Sequence, residues 1–368
     1  MSDVRMPRGE VKWVGLDVAK DAIAVGVLDG MSEAAPRLEK IAHDEVSIRR
    51  LVARLGGPGR LRACYEAGPT GYELHRLFTS MGVGCEVIAP SLVPVAPGDK
   101  VKTDRRDARR LVRLYRAGEL VAVRVPTREE EGARDLSRLR AASVVDRRRA
   151  RQRLGSFLLR HHLVYRDGTT WTVKHRRWLR TLVFDDTGTR ATFGHLLASV
   201  EERELRVGAI DADLAGFFEA GLFADDVARL GAYRGIGPLS ALGLSCEVCD
   251  WRRFPAPARF MGFVGLVPSE YSSGASISRY GITKSGNAHV RRILVEAAWA
   301  YRYPARVSPE LARRHEGVAP EVIARAWNAQ VRLCGRFRHL AARKDRRTVV
   351  ATAVARELAG FVWAEMTA

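Results

Sequence analysis

The sequence predicts an α/β N-terminal domain, then a pair of long charged helices, then a mainly α-helical C-terminal domain. Short apolar runs alternate with helical patterns from residue 11 to about residue 125, which is typical of an α/β domain. Beyond that point the composition changes to long charged helices with leucines at helical spacing. We therefore expect three domains, at residues 1–126, 127–225 and 226–368.

The charge balance of the chain predicts a polyanionic partner. Of the 368 residues, 61 are Lys or Arg and 42 are Asp or Glu, which gives a formal net charge of +19. The excess is mainly arginine, whose planar guanidinium group suits phosphate. The sequence opens with no signal segment, and no apolar stretch approaches the roughly 20 residues that span a bilayer. We expect a soluble, cytoplasmic and nucleoid-associated protein with no membrane contact.

Two acidic residues stand at the ends of predicted strands. Asp17 lies near the end of the apolar run that begins at Trp13, and a second apolar run, residues 22–28, follows a polar break. These two runs predict a hairpin. Glu66 closes another apolar run, which begins at Leu61. A charge at the end of an apolar strand is disfavoured unless something compensates it, and this favours a functional role for the acids as a set.

Two further acids, Asp104 and Asp107, lie three residues apart in a predicted helix that Thr103 is placed to cap. Residues at this spacing share a helix face, so both carboxylates can point at one site. The alternative is that the two acids are surface charges that pair with Arg109 or Arg110.

Together the four acids predict a metal site. Mg²⁺ takes oxygen ligands and keeps waters and substrate phosphates, so a few converging carboxylates hold a pair of ions roughly 3.5–4 Å apart in two-metal sites. We expect two Mg²⁺ ions, for which Mn²⁺ can substitute, and phosphodiester chemistry. The expected ligands, which are also the expected catalytic acids, are Asp17, Glu66, Asp104 and Asp107.

The long helices begin at Pro126, where the composition changes. Thr127 precedes an acidic first turn, which suits the helix macrodipole, and an arginine-rich helix then runs to about Leu163. A second helix carries apolar residues at steps of three and four, which form a heptad seam. The seam residues are Phe193, Leu196, Val200, Val207, Ile210, Leu214 and Phe217. This pattern predicts either an intramolecular helical hairpin or a coiled-coil dimer arm, and we favour the dimer arm.

The five cysteines indicate neither a disulfide framework nor a zinc site. They are scattered along a long chain. Cys246 and Cys249 have the spacing of a zinc knuckle, but no second cysteine pair accompanies them. We interpret the thiols as packing residues.

The C-terminal region carries the most specific motifs. Residues 265–274 read GLVPSEYSSG, and residues 281–299 read GITKSGNAHVRRILVEAAW. Residues 15–20 read GLDVAK, residues 65–68 read YEAG, and residues 102–108 read KTDRRDA. Together these motifs resemble the DEDD insertion-sequence transposases, which are bridge-RNA-guided recombinases. The resemblance covers nearly the whole chain.

This resemblance implies an N-terminal RNase H-like domain with a mixed sheet, similar to the junction resolvase RuvC, followed by a coiled coil and a C-terminal transposase domain. It implies that the four acids named above are the family's DEDD set and that Ser273 is the catalytic nucleophile. Ser273 is preferred over Ser272 because the family motif keeps a serine directly before glycine. The chain departs from the family at Tyr280, where relatives often have a small residue.

The chemistry of such a site is reasonable on physical grounds. A serine hydroxyl alone is a weak nucleophile, but metal ions held by carboxylates polarise the phosphodiester and assist deprotonation. The resemblance implies a 5′-phosphoserine link and a dimer or tetramer in which the acids of one protomer meet the serine of another. It also implies that a structured noncoding RNA selects donor and target DNA by pairing.

Basic side chains are the candidate nucleic-acid contacts. Near the serine we expect Lys284, Arg291 and Arg292 to contact phosphates. The remaining candidates are Arg147, Arg148 and Arg151 on the long helix, and Lys102 and Arg105 beside the acids.

The sequence therefore predicts an Mg²⁺-dependent, RNA-guided transposase that cuts and rejoins DNA through a serine–DNA intermediate. One alternative is a metal-dependent, structure-selective nuclease such as a junction resolvase, in which water attacks instead of serine. A second alternative is a non-catalytic nucleic-acid-binding protein, which would bind in a salt-sensitive way without breaking strands.

Overall fold

The computed structural model of the chain describes residues 11–30, 32–94, 103–273 and 276–368. For Ser272, Ser273, Ser276, Ile277 and Arg279 it describes the backbone alone. The chain divides into two compact units, residues 1–125 and 126–368. A further boundary near residue 225 stays a prediction.

The N-terminal unit is built on a five-stranded mixed sheet, as expected. Its elements are β1 (Lys12–Val18), β2 (Ala22–Asp29), β3 (Arg37–Ala42), α1 (Glu45–Arg54), β4 (Leu61–Glu66), α2 (Glu73–Ser80), β5 (Gly84–Ile88) and α3 (Asp104–Ala117). The strand order is β3-β2-β1-β4-β5. The predicted hairpin is β1–β2, which is antiparallel, and β1, β4 and β5 run parallel.

Successive side chains along each strand point to opposite faces of the sheet, and both faces are covered by helices. On one face Leu16 and Tyr65 belong to a buried cluster with apolar residues of α1 and α2. On the other face Cys64 packs with Leu111 and Tyr115 of α3. The sheet therefore separates the layer that contains α1 and α2 from the layer that contains α3.

The C-terminal unit is mainly α-helical, which confirms the predicted class. Its elements are α4 (Arg128–Arg160), α5 (Val173–Thr181), α6 (Thr187–Glu219), α7 (Ala224–Gly231), α8 (Pro238–Val248), α9 (Pro257–Phe263), β6 (Pro268–Ser273), β7 (Ser276–Ile282), α10 (Ala288–Ala298), α11 (Pro309–His315), α12 (Pro320–Ala341) and α13 (Arg347–Thr367). Among the described residues, no helix is both long enough and apolar enough to cross a membrane.

Helices α4 and α6 form an antiparallel hairpin within the chain. Thr127 caps α4 in a capping box with Glu130, as the acidic first turn suggested. Arg151 of α4 pairs with Glu204 of α6, whereas the earlier Arg140 pairs with the later Asp211, so the two helices run in opposite directions. Predicted seam residues such as Phe193, Val200, Val207, Ile210 and Leu214 are buried. The intramolecular hairpin is thus present, and a coiled-coil dimer arm stays a prediction.

The core of the C-terminal unit is centred on α13. Val354, Leu358 and Val362 are fully buried there, at the spacing of one helix face. Near the end of α13, Glu365 is also fully buried and accepts hydrogen bonds from the guanidinium groups of Arg229 and Arg325. These bonds lower the pKa of Glu365 below its ordinary value, although burial alone would raise it.

The β6–β7 hairpin interrupts the helices of this unit and was not predicted from the sequence. Its two strands are antiparallel, and Ser273 is paired with Ser276 in register at the tip. The expected serine nucleophile is therefore the last residue of β6.

Candidate active site

The strand register places Asp17 and Glu66 at one edge of the sheet. Strands β1 and β4 are parallel, and Leu16 is paired with Tyr65 in the last position of their register. Asp17 and Glu66 each follow these residues by one position, at the carboxyl ends of neighbouring strands. Both side chains are half-buried.

Alternation along the strands turns both acids toward α3. A Cβ atom at Gly15 would lie 2.5 Å from the backbone nitrogen of Val112, so α3 lies directly on β1 at this glycine. Cys64 faces the same helix. Asp17 and Glu66 lie two residues beyond Gly15 and Cys64, so they share that face of the sheet.

Helix α3 supplies the other two acids. Thr103 caps the helix by accepting a hydrogen bond from the backbone nitrogen of Arg106, as predicted. Asp104 is exposed in the first turn, and Asp107, one turn later, is only 7% exposed.

Arg110 links the acids of the helix to those of the sheet. Its Nη2 atom donates a 3.0 Å hydrogen bond to Asp107 Oδ1 and lies 4.0 Å from Glu66 Oε1. The pairing considered above as the alternative explanation for Asp107 is therefore present. It also shows that Glu66 and Asp107 share one neighbourhood, which is the convergence that the predicted site requires.

The structure brings fewer of the predicted ligands together than a metal-binding cluster needs. Across the described ranges, no three His, Cys, Asp or Glu side chains lie close enough together to hold one ion. Asp107 Oδ2 is nevertheless buried and has no hydrogen-bond partner among the described residues, and such an atom costs free energy unless something binds it. A hard, oxygen-preferring divalent cation is the kind of ligand that would satisfy this carboxylate oxygen.

The serine hairpin is anchored by close contacts between backbones. A Cβ atom at Gly265 would lie 2.0 Å from the carbonyl oxygen of Ser285, and one at Gly286 would lie 2.1 Å from that of Phe263. Both glycines have positive φ angles, and so does Lys284. Only glycine permits the chain after β7 to lie so tightly against the end of α9.

An ion pair with one buried member, Glu247, lies beside the segment that follows this hairpin. Asn287 caps α10, and its side-chain amide donates a 2.7 Å hydrogen bond to Glu247 Oε2. Glu247 also accepts two hydrogen bonds, of 2.7 and 2.9 Å, from Arg138 of α4. Burial alone would raise the pKa of Glu247, but these hydrogen bonds lower it below its usual value.

The predicted nucleic-acid contacts near the serine differ in their surroundings. Arg291 Nη1 donates to the carbonyl oxygens of Val264 and Ser285, so this guanidinium group is engaged within the protein. Arg292 forms an exposed pair with Glu296 at 3.5 Å. Lys284 is exposed. Their phosphate contacts stay predictions.

The predicted contacts on α4 lie together on the helical hairpin. Arg147, Arg148 and Arg151 line a cavity of about 390 Å³ beside Trp171. The guanidinium carbon of Arg151 lies 4.6 Å from the centre of the Trp171 ring. On α3, Arg105 is exposed, whereas Lys102 lies outside the described residues.

Sequence reasoning did not assign functional roles to Arg110, Arg138 or Glu247. Arg110 was considered only as a surface partner, although its position three residues after Asp107 allowed for the contact. The contacts of Glu247 with Arg138 and Asn287 join residues far apart in the sequence, and no local pattern signals them.

Comparison with known proteins gives a consistent result over the whole chain. Residues 14–163 match a family model of transposases, the DEDD type of IS110 elements, and residues 227–316 match a model described as the transposase IS116/IS110/IS902 family. The protein y4qE of Sinorhizobium fredii, a transposase by its name, is 42% identical over 96% of this chain and 87% of its own length. The transposase for insertion sequence element IS1533 of Leptospira borgpetersenii is 34% identical over 89% of this chain and 96% of its own length.

Proposed function

Because this chain belongs to the IS110/IS116/IS902 family of insertion-sequence transposases, which cut and join DNA, we propose that it cuts and joins DNA through a covalent serine–DNA intermediate. In this proposal Ser273 is the nucleophile. Asp17, Glu66, Asp104 and Asp107 hold the divalent ions that assist it.

The observation that carries the proposal is the environment of Asp107. A carboxylate that is 7% exposed, with one oxygen unpartnered among the described residues, lies beside Glu66 at the carboxyl edge of the sheet. Burying a charge in this way is unfavourable unless a cation completes the site. The single guanidinium group of Arg110 contacts only one oxygen of Asp107, which leaves the other oxygen available to a metal ion.

The reaction conserves the phosphodiester bond. The hydroxyl oxygen of Ser273 attacks phosphorus, the bond from phosphorus to the 3′ oxygen breaks, and the serine proton ends on the departing 3′-hydroxyl group. The product is a 5′-phosphoserine, and attack by a second 3′-hydroxyl group reverses the step and joins new strands. When bound, Mg²⁺ or Mn²⁺ would stabilise the negative charge on the reacting phosphate.

We propose that a structured noncoding RNA and arginine side chains that contact phosphates together recognise the DNA. The support is the basic surface of α4, where Arg148 is exposed and Arg147 and Arg151 line the cavity beside Trp171. Such a surface binds backbones and stacks bases without reading a sequence. We also propose a dimer or tetramer, so that two DNA ends are cut within one assembly.

The test is a cleavage assay with the full-length protein, Mg²⁺, the element's noncoding RNA, and labelled donor and target DNA. Wild type should give a protein-linked DNA band on a denaturing gel, and Asp17→Asn should remove it. Asp21→Asn is the matched control, because Asp21 is exposed at the turn between β1 and β2, and it should behave as wild type. Free nicked DNA without the linked band would contradict the serine intermediate and favour a hydrolytic nuclease.

A further inference from the structure

A large groove lies beside the serine hairpin within the C-terminal unit. It is bounded by the β6–β7 hairpin on one side and by helices α12 and α13 on the other, and its volume is about 1250 Å³. Ser269 of β6 and Tyr280 of β7 both line it. The groove therefore reaches the hairpin that carries Ser273.

The charges around the groove favour an anionic occupant. Of the lining side chains that the structure describes, four are Lys or Arg and one, Glu357, is a carboxylate. The four cations are Lys284, Arg332, Arg336 and Arg356. Glu357 contacts Arg332 and Arg336, the latter at 3.7 Å, and Arg332 remains 69% exposed. The groove keeps a positive excess that its own residues do not neutralise.

The floor of the groove suits sugars and bases. Val331 and Val349 line it and are 48% and 51% exposed, which is high for valine, and Tyr280 is 65% exposed. An apolar floor under a basic rim, with an aromatic ring at the edge, is how proteins hold a single nucleic-acid strand without reading its sequence.

Gly335 of α12 lies in the wall of the groove. It lies within the 22-residue helix α12, where glycine costs about 1 kcal/mol relative to alanine. No described atom lies within 4 Å of the position its Cβ would take, so packing inside the protein does not require glycine there. The wall of the groove carries no side chain at this position, so a large residue placed there would project into the groove.

We propose that this groove binds one strand of DNA and leads it to the strand-exchange serine. The cationic side chains hold its phosphates, and Tyr280 stacks on a base. Ser273 lies four positions beyond Ser269 along β6, which is about 13 Å of extended chain and about four phosphates along one strand of B-form DNA. The evidence for a binding site is the charge and shape of the groove itself, whereas the role of the strand in the reaction rests on the function proposed above.

The test is photo-cross-linking of the full-length protein to single strands of 12 nucleotides, one DNA strand with 4-thiothymidine and one RNA strand of the same sequence with 4-thiouridine. Cross-linked peptides, mapped by mass spectrometry, should include residues 327–339 and 347–357. The DNA strand should label this groove more strongly than the RNA strand, and labelling of the groove by the RNA strand alone would overturn the proposal. Cross-links confined to α4 would overturn the proposal.

Two substitutions at Gly335 distinguish a loss of binding caused by filling the groove from one caused by a change in the helix. Gly335→Trp should fill the groove and reduce cross-linking there at least tenfold, while Gly335→Ala should match wild type. Undiminished cross-linking in Gly335→Trp would overturn the proposal. A change in oligomeric mass with the same variant, and no loss of cross-links, would also overturn it, because a second copy of the chain would then be the occupant.

A charge series tests the same site without adding bulk. Arg332→Ala should weaken binding of the DNA strand about threefold to tenfold and lower its salt dependence, and Glu357→Gln should leave binding unchanged or tighter. Arg338→Ala is the matched control, since Arg338 is exposed on the same helix but does not line this groove.

The two proposals fail in different ways. Groove cross-links without any protein-linked DNA from wild type would contradict the serine intermediate and leave the groove intact. Protein-linked DNA that forms at the wild-type rate in Gly335→Trp would contradict the groove and leave the serine intermediate intact.

Discussion

Arg110 lies one turn beyond Asp107 on α3, and its Nη2 atom is 3.0 Å from Asp107 Oδ1. The same nitrogen lies 4.0 Å from Oε1 of Glu66, at the end of strand β4. A single cation thus holds together two of the carboxylates proposed to bind metal. We expect Arg110 to act as a counter-ion that a divalent ion must compete with.

Arg110→Gln should therefore tighten Mg²⁺ binding, roughly tenfold if the lost repulsion amounts to about 1.4 kcal/mol. Isothermal titration calorimetry with Mg²⁺, and then with Mn²⁺, measures this directly. Arg109→Gln, which changes an exposed arginine of the same helix, should bind as wild type does. Equal or weaker binding by Arg110→Gln would show that Arg110 supports the metal site instead of competing with the ion.

The close packing of α3 on the sheet should be needed for cleavage. In Gly15→Ala the new methyl group would meet the backbone nitrogen of Val112 at 2.5 Å, so α3 must shift and take Asp107 with it. We expect destabilisation of about 1–3 kcal/mol, as for other overpacked cores, and at least a tenfold loss of DNA cleavage at a temperature where the variant is folded. Gly59→Ala, which meets no described atom within 4 Å, is the control and should cleave normally.

The ion pair beneath the serine hairpin should contribute stability that depends on pH. Hydrogen bonds from Arg138 and Asn287 hold the pKa of Glu247 below its ordinary value despite burial. A carboxyl group with a depressed folded-state pKa stabilises the fold fully above its unfolded pKa of about 4.3, and this contribution is lost as pH falls through the folded-state pKa.

Glu247→Gln should therefore lower the free energy of unfolding by about 1.5–3 kcal/mol at pH 7, and the difference from wild type should shrink as the pH falls below about 4.3. Urea unfolding at several pH values measures both. Glu316→Gln, which changes an exposed acid, should show little difference at any pH. A difference for Glu247→Gln that stayed constant down to pH 3 would contradict the assignment.

Of two glycines near the base of the serine hairpin, Gly281 in β7 should tolerate a side chain and Gly286 after β7 should not. Gly286 has φ +78°, and its Cβ would lie 2.1 Å from the carbonyl oxygen of Phe263. Alanine there should cost at least about 1–2 kcal/mol for the left-handed backbone alone and should lower the yield of protein-linked DNA. Gly281→Ala meets no described atom within 4 Å and should be neutral in thermal unfolding. Equal effects of the two substitutions would contradict this account of the hairpin base.

Much of the N-terminal site could be predicted from the sequence because its signals are local. Thr103 capping α3, Asp17 near the end of β1 and Glu66 at the end of β4 follow from short patterns of apolar and polar residues. The contact of Arg110 with Glu66 depends on how a helix packs on a sheet, and no single segment encodes it.

The C-terminal site was less predictable for the same reason. The β6–β7 hairpin is short and serine-rich, so its apolar alternation is weak. The groove beside it is formed by residues from 261 to 357, which come together only in the folded unit. The hairpin of α4 and α6 shows another limit, since the heptad pattern fitted both an intramolecular partner and a second chain.

The central claim is that a serine of this chain becomes linked to DNA, and mass spectrometry of the protein-linked product tests it most directly. After nuclease digestion, wild type should yield a peptide carrying a 5′-phosphonucleotide on Ser273. Ser273→Ala should yield no linked product, while Ser272→Ala should keep it. A nucleotide on Ser272, or cleavage that persists in Ser273→Ala without any linked DNA, would contradict the account.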